Sequence, residues 1–366
     1  MNANKQIAGF GHGGNVHAWA RESGGELTAI LDYSANINPL GLAASVREAI
    51  SQSIDQVVHY PDVEATRLKT AISKYYQVDT ARITAGNGAV ELIYLLAHIL
   101  RPKRVLIPAP AFSEYERAAV AAGAAIEYAY LLPEDEFAIN VDWLCSKLQG
   151  IDMVFVGNPN NPTGTLLTVS HVERLLAAAK QAGAVVVVDE SFMDFIIGDQ
   201  EHTCRPLLKQ YDNLVIIHSL TKFYAIPGLR LGFSLTTPEL AAKLHAAKDP
   251  WNVNLLAQAA GVAALADTEY QSNSRETVLR AKESLYEGLK ALPGVKPFRP
   301  SVNYILMDLS ASGRDAAQVR SLLAKENILI RDCSNYPGLT TSYVRVAVKL
   351  EEQNKILLER LGQVLR

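Results

Sequence analysis

The chain has 366 residues, 49% of them hydrophobic, which is enough for a large core and a division into two domains. A formal net charge of -3, from 35 basic and 38 acidic side chains, argues against a protein built to bind nucleic acid or another polyanion. The three cysteines, Cys145, Cys204 and Cys333, form no CxxC pair, no apolar run spans a bilayer, and "MNANKQIAGFGHGG" lacks a signal-peptide pattern; the expectation is a soluble, cytoplasmic protein without structural zinc or disulfides.

In chain order, the first informative stretch is "TAGNGAVELIYLL" (84–96), a glycine-bearing turn that enters a helix. Free backbone N–H groups and the helix dipole make such a terminus either a tight turn or a phosphate cradle. It matches neither GxGxxG nor GxxxxGK[ST]. "RVLIP" (104–108), "DMVFVG" (152–157), "AVVVVDE" (184–190) and "NLVIIHS" (213–219) are near-continuous apolar runs of strand length. Runs of that kind suit a sheet covered on both faces. "HVERLLAAAKQAG" (171–183) reads as a helix closed by glycine. Alternating strands and helices predict a mostly parallel α/β sheet, whose ligands bind beyond the carboxyl ends of the strands.

Three polar stretches fall at those ends. "GNPNNPTG" (157–164) is a loop made rigid by two prolines, offering asparagine amides from a backbone that cannot relax. "VVVVDESF" (185–192) ends a buried run in Asp189, a carboxylate that needs a partner, either nearby backbone amides or a protonated ring nitrogen. "SLTKFYAIPGLRLG" (219–232) sets Lys222 eight residues before Arg230. A lysine amine condenses with aldehydes once burial or a neighbouring cation lowers its pKa, and a guanidinium grips phosphate as a planar fork.

Beyond about residue 250 the pattern changes. "NLLAQAAGVAALAD" (254–267) and "SRETVLRAKESLYEGLKAL" (274–292) predict long helices, and "NYILMDLS" (303–310) and "SYVRVAV" (342–348) predict two alternating strands. The expected division is a large domain over 45–250 and a smaller α+β domain from 1–44 plus 251–366.

A phosphate cradle, a rigid amide loop, a carboxylate and an amine are the parts that hold pyridoxal 5'-phosphate (PLP). The chain resembles the fold-type I PLP enzymes of the class I/II aminotransferase family over essentially its whole length, with "NPNNPTG", the "DE" at 189–190 and "SLTKFYAIPGLRLG" in the family's order and spacing. That resemblance implies a mostly parallel seven-stranded sheet sandwiched by helices, plus a smaller α+β domain. It implies that Lys222 takes the cofactor's aldehyde, Asp189 pairs with the pyridine nitrogen and Asn161 bonds the phenolic oxygen. Gly86, Asn87, Ser219 and Arg230 would hold the phosphate, and Phe112, in "PAPAFSEY", would stack on the ring. Tyr60, in "HYPD", would reach the cofactor of a neighbouring subunit in a homodimer with shared sites.

By the same resemblance Arg345, in "YVRVAV", binds the substrate carboxylate, and Arg331, in "ILIRDC", offers a second anion contact. "GHGGN" (11–15), "LDYSANINPLG" (31–41) and "CSNYPGL" (333–339) resemble members that decarboxylate a phosphorylated amino acid, which adds His12 and Asn36 to the substrate-binding set. Phe192 stands where phosphorylated-substrate aminotransferases of the family usually have tyrosine. Loss of CO2 and transfer of the amine both stay open. They differ in which Cα bond the protein holds perpendicular to the cofactor ring.

Overall fold

The apolar runs assemble into one sheet. The computed structural model describes residues 11–23 and 26–366. Among the described residues, seven strands lie in the spatial order Ile83–Gly86, Gly232–Leu235, Leu214–Ser219, Val185–Asp189, Met153–Gly157, Arg104–Ala109 and Ala125–Tyr130. All run parallel except Gly232–Leu235, which is antiparallel to both neighbours. Successive side chains enter two different cores. Val186, Val188 and Ile216 join one, while Val187, Val215 and Ile217 join the other. Both faces are therefore apolar, and the strand sequences show no alternation.

Helices Ala89–Leu100 and Ser113–Ala121 cover one face through Leu92, Leu96, Ala118 and Ala119. On the other lie Thr66–Tyr76 and Val169–Ala182. The latter starts at Thr168, whose hydroxyl accepts the His171 N–H, and stops at Gly183 in the left-handed region.

A second, antiparallel sheet runs in the order Arg331–Asp332, Tyr343–Ala347, Tyr304–Asp308, Lys296–Pro297. Tyr343–Ala347 was expected to alternate, yet every residue of it is buried. Val344 and Val346 pack into the small domain's core, while Tyr343 and Arg345 face the large domain's loops. An alternating strand here is covered on both sides.

Side-chain packing continues across the expected division at residue 251. Helix Leu255–Ala266 lies against Ala44–Ser53 and Thr66–Tyr76, and Ala257, Ala260 and Ala264 belong to the large domain's core. The long helix Thr268–Lys290 contributes Val278 to that core and Ala281, Leu285 and Leu289 to the small one. The α/β alternation stops near 250, but the change of core falls about thirty residues later. Among the described residues, no helix is long and apolar enough to cross a membrane, and no cluster of His, Cys, Asp and Glu could hold a metal ion.

Candidate active site

The parallel strands end on one edge of the large sheet, and there the polar stretches converge. A cavity of about 400 Å³ is lined by Phe112, Asn161, Asp189, Phe192, Ser219, Lys222 and Arg230 from the large domain. His12, Asn36, Arg331 and Arg345 close it from the N-terminal segment and the small domain. Three of the expected site residues lie outside its lining. Gly86 is buried against Leu92, the Asn87 N–H donates to Glu91 Oε2 at 2.6 Å, and Tyr60 is 77% exposed and stacked on Trp251 with ring centres 4.4 Å apart.

Lys222 sits in a single helical turn, Leu220–Phe223, capped by the Ser219 hydroxyl. Its ammonium is pushed down to about 8, chiefly by burial, then by the charges of Arg230 and Arg345, against an opposing pull from Asp189. A free amine near neutral pH is a nucleophile and a proton acceptor.

Asp189 ends its strand under Tyr115. It accepts the Tyr115 hydroxyl at 2.7 Å and the Ser191 N–H at 2.9 Å. Tyr115 lies parallel to Phe155 at 5.0 Å, and its phenol is pushed far up by burial, then by the Asp189 charge, so it stays a donor. The carboxylate is thus paired in the way an isolated buried charge requires, while it still lines the cavity.

In the proline-rich loop the asparagines divide their work. Asn158 bonds Leu167 and the carbonyl of His202, and Asn160 bonds the Pro110 carbonyl and Thr163, so both brace the loop. Asn161 faces the cavity and accepts from Arg345 Nη1.

Of the glycine-bearing turn, it is the residues just after the expected Gly86 and Asn87 that reach the cavity. Ala89 and Val90, at the start of helix Ala89–Leu100, line the cavity, and Arg230 packs on Gly88. Gly88 has φ +82, and a Cβ built on it would stand 2.5 Å from Arg230 Nη2. Glycine there gives the turn its conformation and the guanidinium its room.

Arg331 and Arg345 are direct partners in the register of the small sheet, 8% and 4% exposed. Arg345 Nη2 donates to the Ser34 carbonyl at 2.9 Å, and Arg331 Nη2 donates to Asn335 Oδ1 at 2.8 Å. Asn36 lines the cavity with a buried Oδ1 that no protein group bonds. His12 Nε2 lies 2.7 Å from Glu114 Oε1, and its ring is 5.8 Å from that of Phe112.

Sequence reasoning missed Tyr115, Glu114, Ser34 and Asn335. Two stand beside Phe112 in "PAPAFSEY" and two inside "SANINPLG" and "CSNYPGL"; the partners of Tyr115, Glu114 and Ser34 lie 74, 102 and 311 residues away, while that of Asn335 is Arg331, four residues before it.

A Lys222–Asp189 pair at the carboxyl edge of this sheet, closed by two arginines, goes with the comparison to known proteins. The family model Aminotransferase class I and II matches residues 28–361. The chain belongs to that family. A threonine-phosphate decarboxylase of Salmonella typhimurium is 36% identical over 355 residues, 97% of this chain and 96% of that protein. The crystal structure of the histidinol-phosphate aminotransferase from Clostridium acetobutylicum superposes with a TM-score of 0.86 at 35% identity, covering 92% of this chain and 99% of that one. That of L-threonine-O-3-phosphate decarboxylase from Porphyromonas gingivalis gives 0.81 at 27% identity, covering 90% and 98%. The class I/II chain described here is thus similar along its length to enzymes of both reaction types.

Proposed function

We propose that this chain releases CO2 from L-threonine O-3-phosphate and keeps the amine, with PLP as cofactor, to form (R)-1-amino-2-propanol O-2-phosphate in cobalamin biosynthesis. The observation that carries the reading is the side-by-side pairing of Arg331 and Arg345 in the wall that faces Lys222. Two guanidiniums suit a small substrate with two anionic groups, and threonine phosphate brings a carboxylate and a phosphate. The threonine-phosphate decarboxylases of S. typhimurium and P. gingivalis support it by likeness.

The residues present fit PLP. Lys222 offers a free amine, Asp189 a carboxylate for a protonated ring nitrogen, Asn161 an amide for the phenolic oxygen and Phe112 an aromatic flank. Ser219, Arg230 and the N-terminus of helix Ala89–Leu100 would hold the phosphate, with Gly88 in the place first expected of Gly86 and Asn87. When bound, the cofactor supplies a sink for the electron pair left at Cα. The chain's own residues choose the bond. Arg331, Arg345, Asn36 and His12 would hold the carboxylate and phosphate and so orient the substrate for loss of its carboxylate rather than of its Cα proton. Lys222 Nζ then returns a proton to Cα, and the amine stays on the product.

A homodimer with shared sites completes the reading. Tyr60 lies outside its own chain's cavity, on a surface where Ile54, Val57, Val58 and Trp251 are exposed. A second copy covers that apolar patch and receives Tyr60 at its cofactor phosphate. Free Cys145, Cys204 and Cys333 fit a reducing cytoplasm.

The second reading is amine transfer from histidinol phosphate, favoured by the 0.86 superposition. Phe192 speaks against it. It lines the cavity without a hydroxyl, and the nearby Tyr304 hydroxyl is occupied by the Asn160 carbonyl at 2.7 Å. The test is turnover of both substrates by the PLP-loaded protein with no oxo acid added. CO2 from threonine phosphate over many turnovers is expected; a single stoichiometric amine transfer from histidinol phosphate, without CO2 from threonine phosphate, refutes the proposal.

A further inference from the structure

We propose that Glu114 is a positioning residue that fastens the glycine-rich segment 11–14 across the cavity and so holds His12 against an anionic group of the substrate. The inference rests on the decarboxylase reading for the nature of that substrate. Glu114 stands on the first turn of helix Ser113–Ala121 and is 7% exposed. A buried carboxylate needs donors, and it has the Tyr94 hydroxyl at 3.0 Å, Arg117 Nη1 at 3.6 Å and His12 Nε2 at 2.7 Å. Burial pushes its pKa up, but His12, Tyr94 and Arg117 outweigh this and hold it below the usual range, so it is an ionised acceptor. Tyr94 and Arg117 belong to the same domain as Glu114. His12 arrives from 102 residues away.

The glycines explain how it arrives. A Cβ on Gly13 would stand 2.0 Å from the Ser34 carbonyl oxygen, and one on Gly11 would stand 2.9 Å from Asn335 Nδ2. Gly14 has φ +84, and its N–H donates to Ser34 Oγ at 2.8 Å. A side chain at 13 would force the segment off this path, and one at 11 would push the Asn335 amide aside. Its contacts are the residues that aim the two arginines: the Ser34 carbonyl accepts from Arg345 and Asn335 accepts from Arg331. The segment therefore joins the small-domain anion grip at one end to a large-domain carboxylate at the other. "GHGGN" is a clasp, with Glu114 as its catch.

The test uses PLP-loaded protein and phosphoglycolate, which carries a carboxylate and a phosphate but no amine, so it binds without reacting. Calorimetric titration is expected to show Glu114→Ala weakening binding about tenfold, His12→Ala by the same factor, and the double variant no further, as for two residues acting through one contact. Amide exchange in residues 11–20 rises in Glu114→Ala, while the cofactor absorbance stays at the wild-type value. The near-isosteric Glu114→Gln removes the charge with little change of shape and is expected to weaken binding at least about threefold, which decides the matter if the alanine variant does not fold. Binding within twofold of wild type in the Glu114 variants, losses that multiply to about a hundredfold in the double, or no binding by the wild type overturns the proposal. CO2 release by the wild type is measured separately, so failure of the reaction reading is distinguishable from failure of the clasp.

Discussion

Lys222 shows what one residue's surroundings do to its chemistry. An ordinary lysine titrates near about 10.4, so at pH 8 well under one amine in a hundred is free. Here burial, Arg230 and Arg345 bring the value to about 8, where half is free. Because the shift is downward, the uncharged form gains population as pH rises through about 8. The rate at which cofactor-free protein takes up PLP is accordingly expected to rise with a midpoint near pH 8, followed by absorbance; a midpoint near 10 contradicts the assignment. Lys222→Ala is expected to cut turnover at least about a thousandfold, since the proposed mechanism gives the nucleophile and the proton carrier to one group. That Lys222, Asp189, Asn161, Ser219 and Arg230 share one cavity was legible because each lies in a short motif at or near a strand end. Tyr115 and Ser34 were not, because hydrogen bonds between distant segments leave no local pattern, and Asn335, only four residues from Arg331, was not because the fold alone turns the two side chains toward each other.

At the scale of the element, the start of helix Ala89–Leu100 carries the sharpest constraint. Gly88 combines a left-handed φ with the close approach of Arg230. Gly88→Ala is expected to cost about 1–3 kcal/mol of stability from backbone strain alone and to displace the guanidinium. Thermal unfolding and equilibrium dialysis against PLP check both parts: a lowered midpoint and cofactor affinity reduced about tenfold or more are expected. The same region shows how a local motif leaves the exact lining open. A glycine-bearing motif marks a cradle, but only the fold shows that Ala89 and Val90, rather than Gly86 and Asn87, line the cavity. The four apolar runs were legible as strands because both their faces are covered. Two short strands were harder: Gly232–Leu235 begins inside the lysine motif, and Ile83–Gly86 runs straight into the glycine turn.

For the whole molecule, the two domains meet at the site. Tyr304 bonds the Asn160 carbonyl, Ser301 Oγ donates to the Gly164 carbonyl at 2.6 Å, and Arg345 donates to Asn161. The small domain therefore leans on the proline-rich loop, and Arg331 and Arg345 are placed relative to Asp189 and Lys222 by that contact. The division of the chain was only partly legible, since helix Leu255–Ala266 has the composition of either domain and packing alone assigns it. On the outside, Ile54, Val57, Val58 and Tyr60 expose apolar surface beside Trp251. If the proposed shared site holds, Val58→Lys, placed on the side chain that is 77% exposed there, is expected to shift sedimentation at micromolar concentration from dimer toward monomer and to lower turnover in parallel, since Tyr60 would then no longer reach the other copy's site. Unchanged sedimentation, or dissociation with full turnover, contradicts the shared site.

The most direct test of the central claim follows both ends of one substrate molecule. Threonine phosphate labelled with ¹³C in the carboxyl group and ¹⁵N in the amine is turned over by the PLP-loaded protein in the presence of 2-oxoglutarate. The expected result is one labelled CO2 for each substrate consumed, with ¹⁵N retained in aminopropanol phosphate. Appearance of ¹⁵N in glutamate, with the labelled carboxyl carbon still on the product, would contradict it.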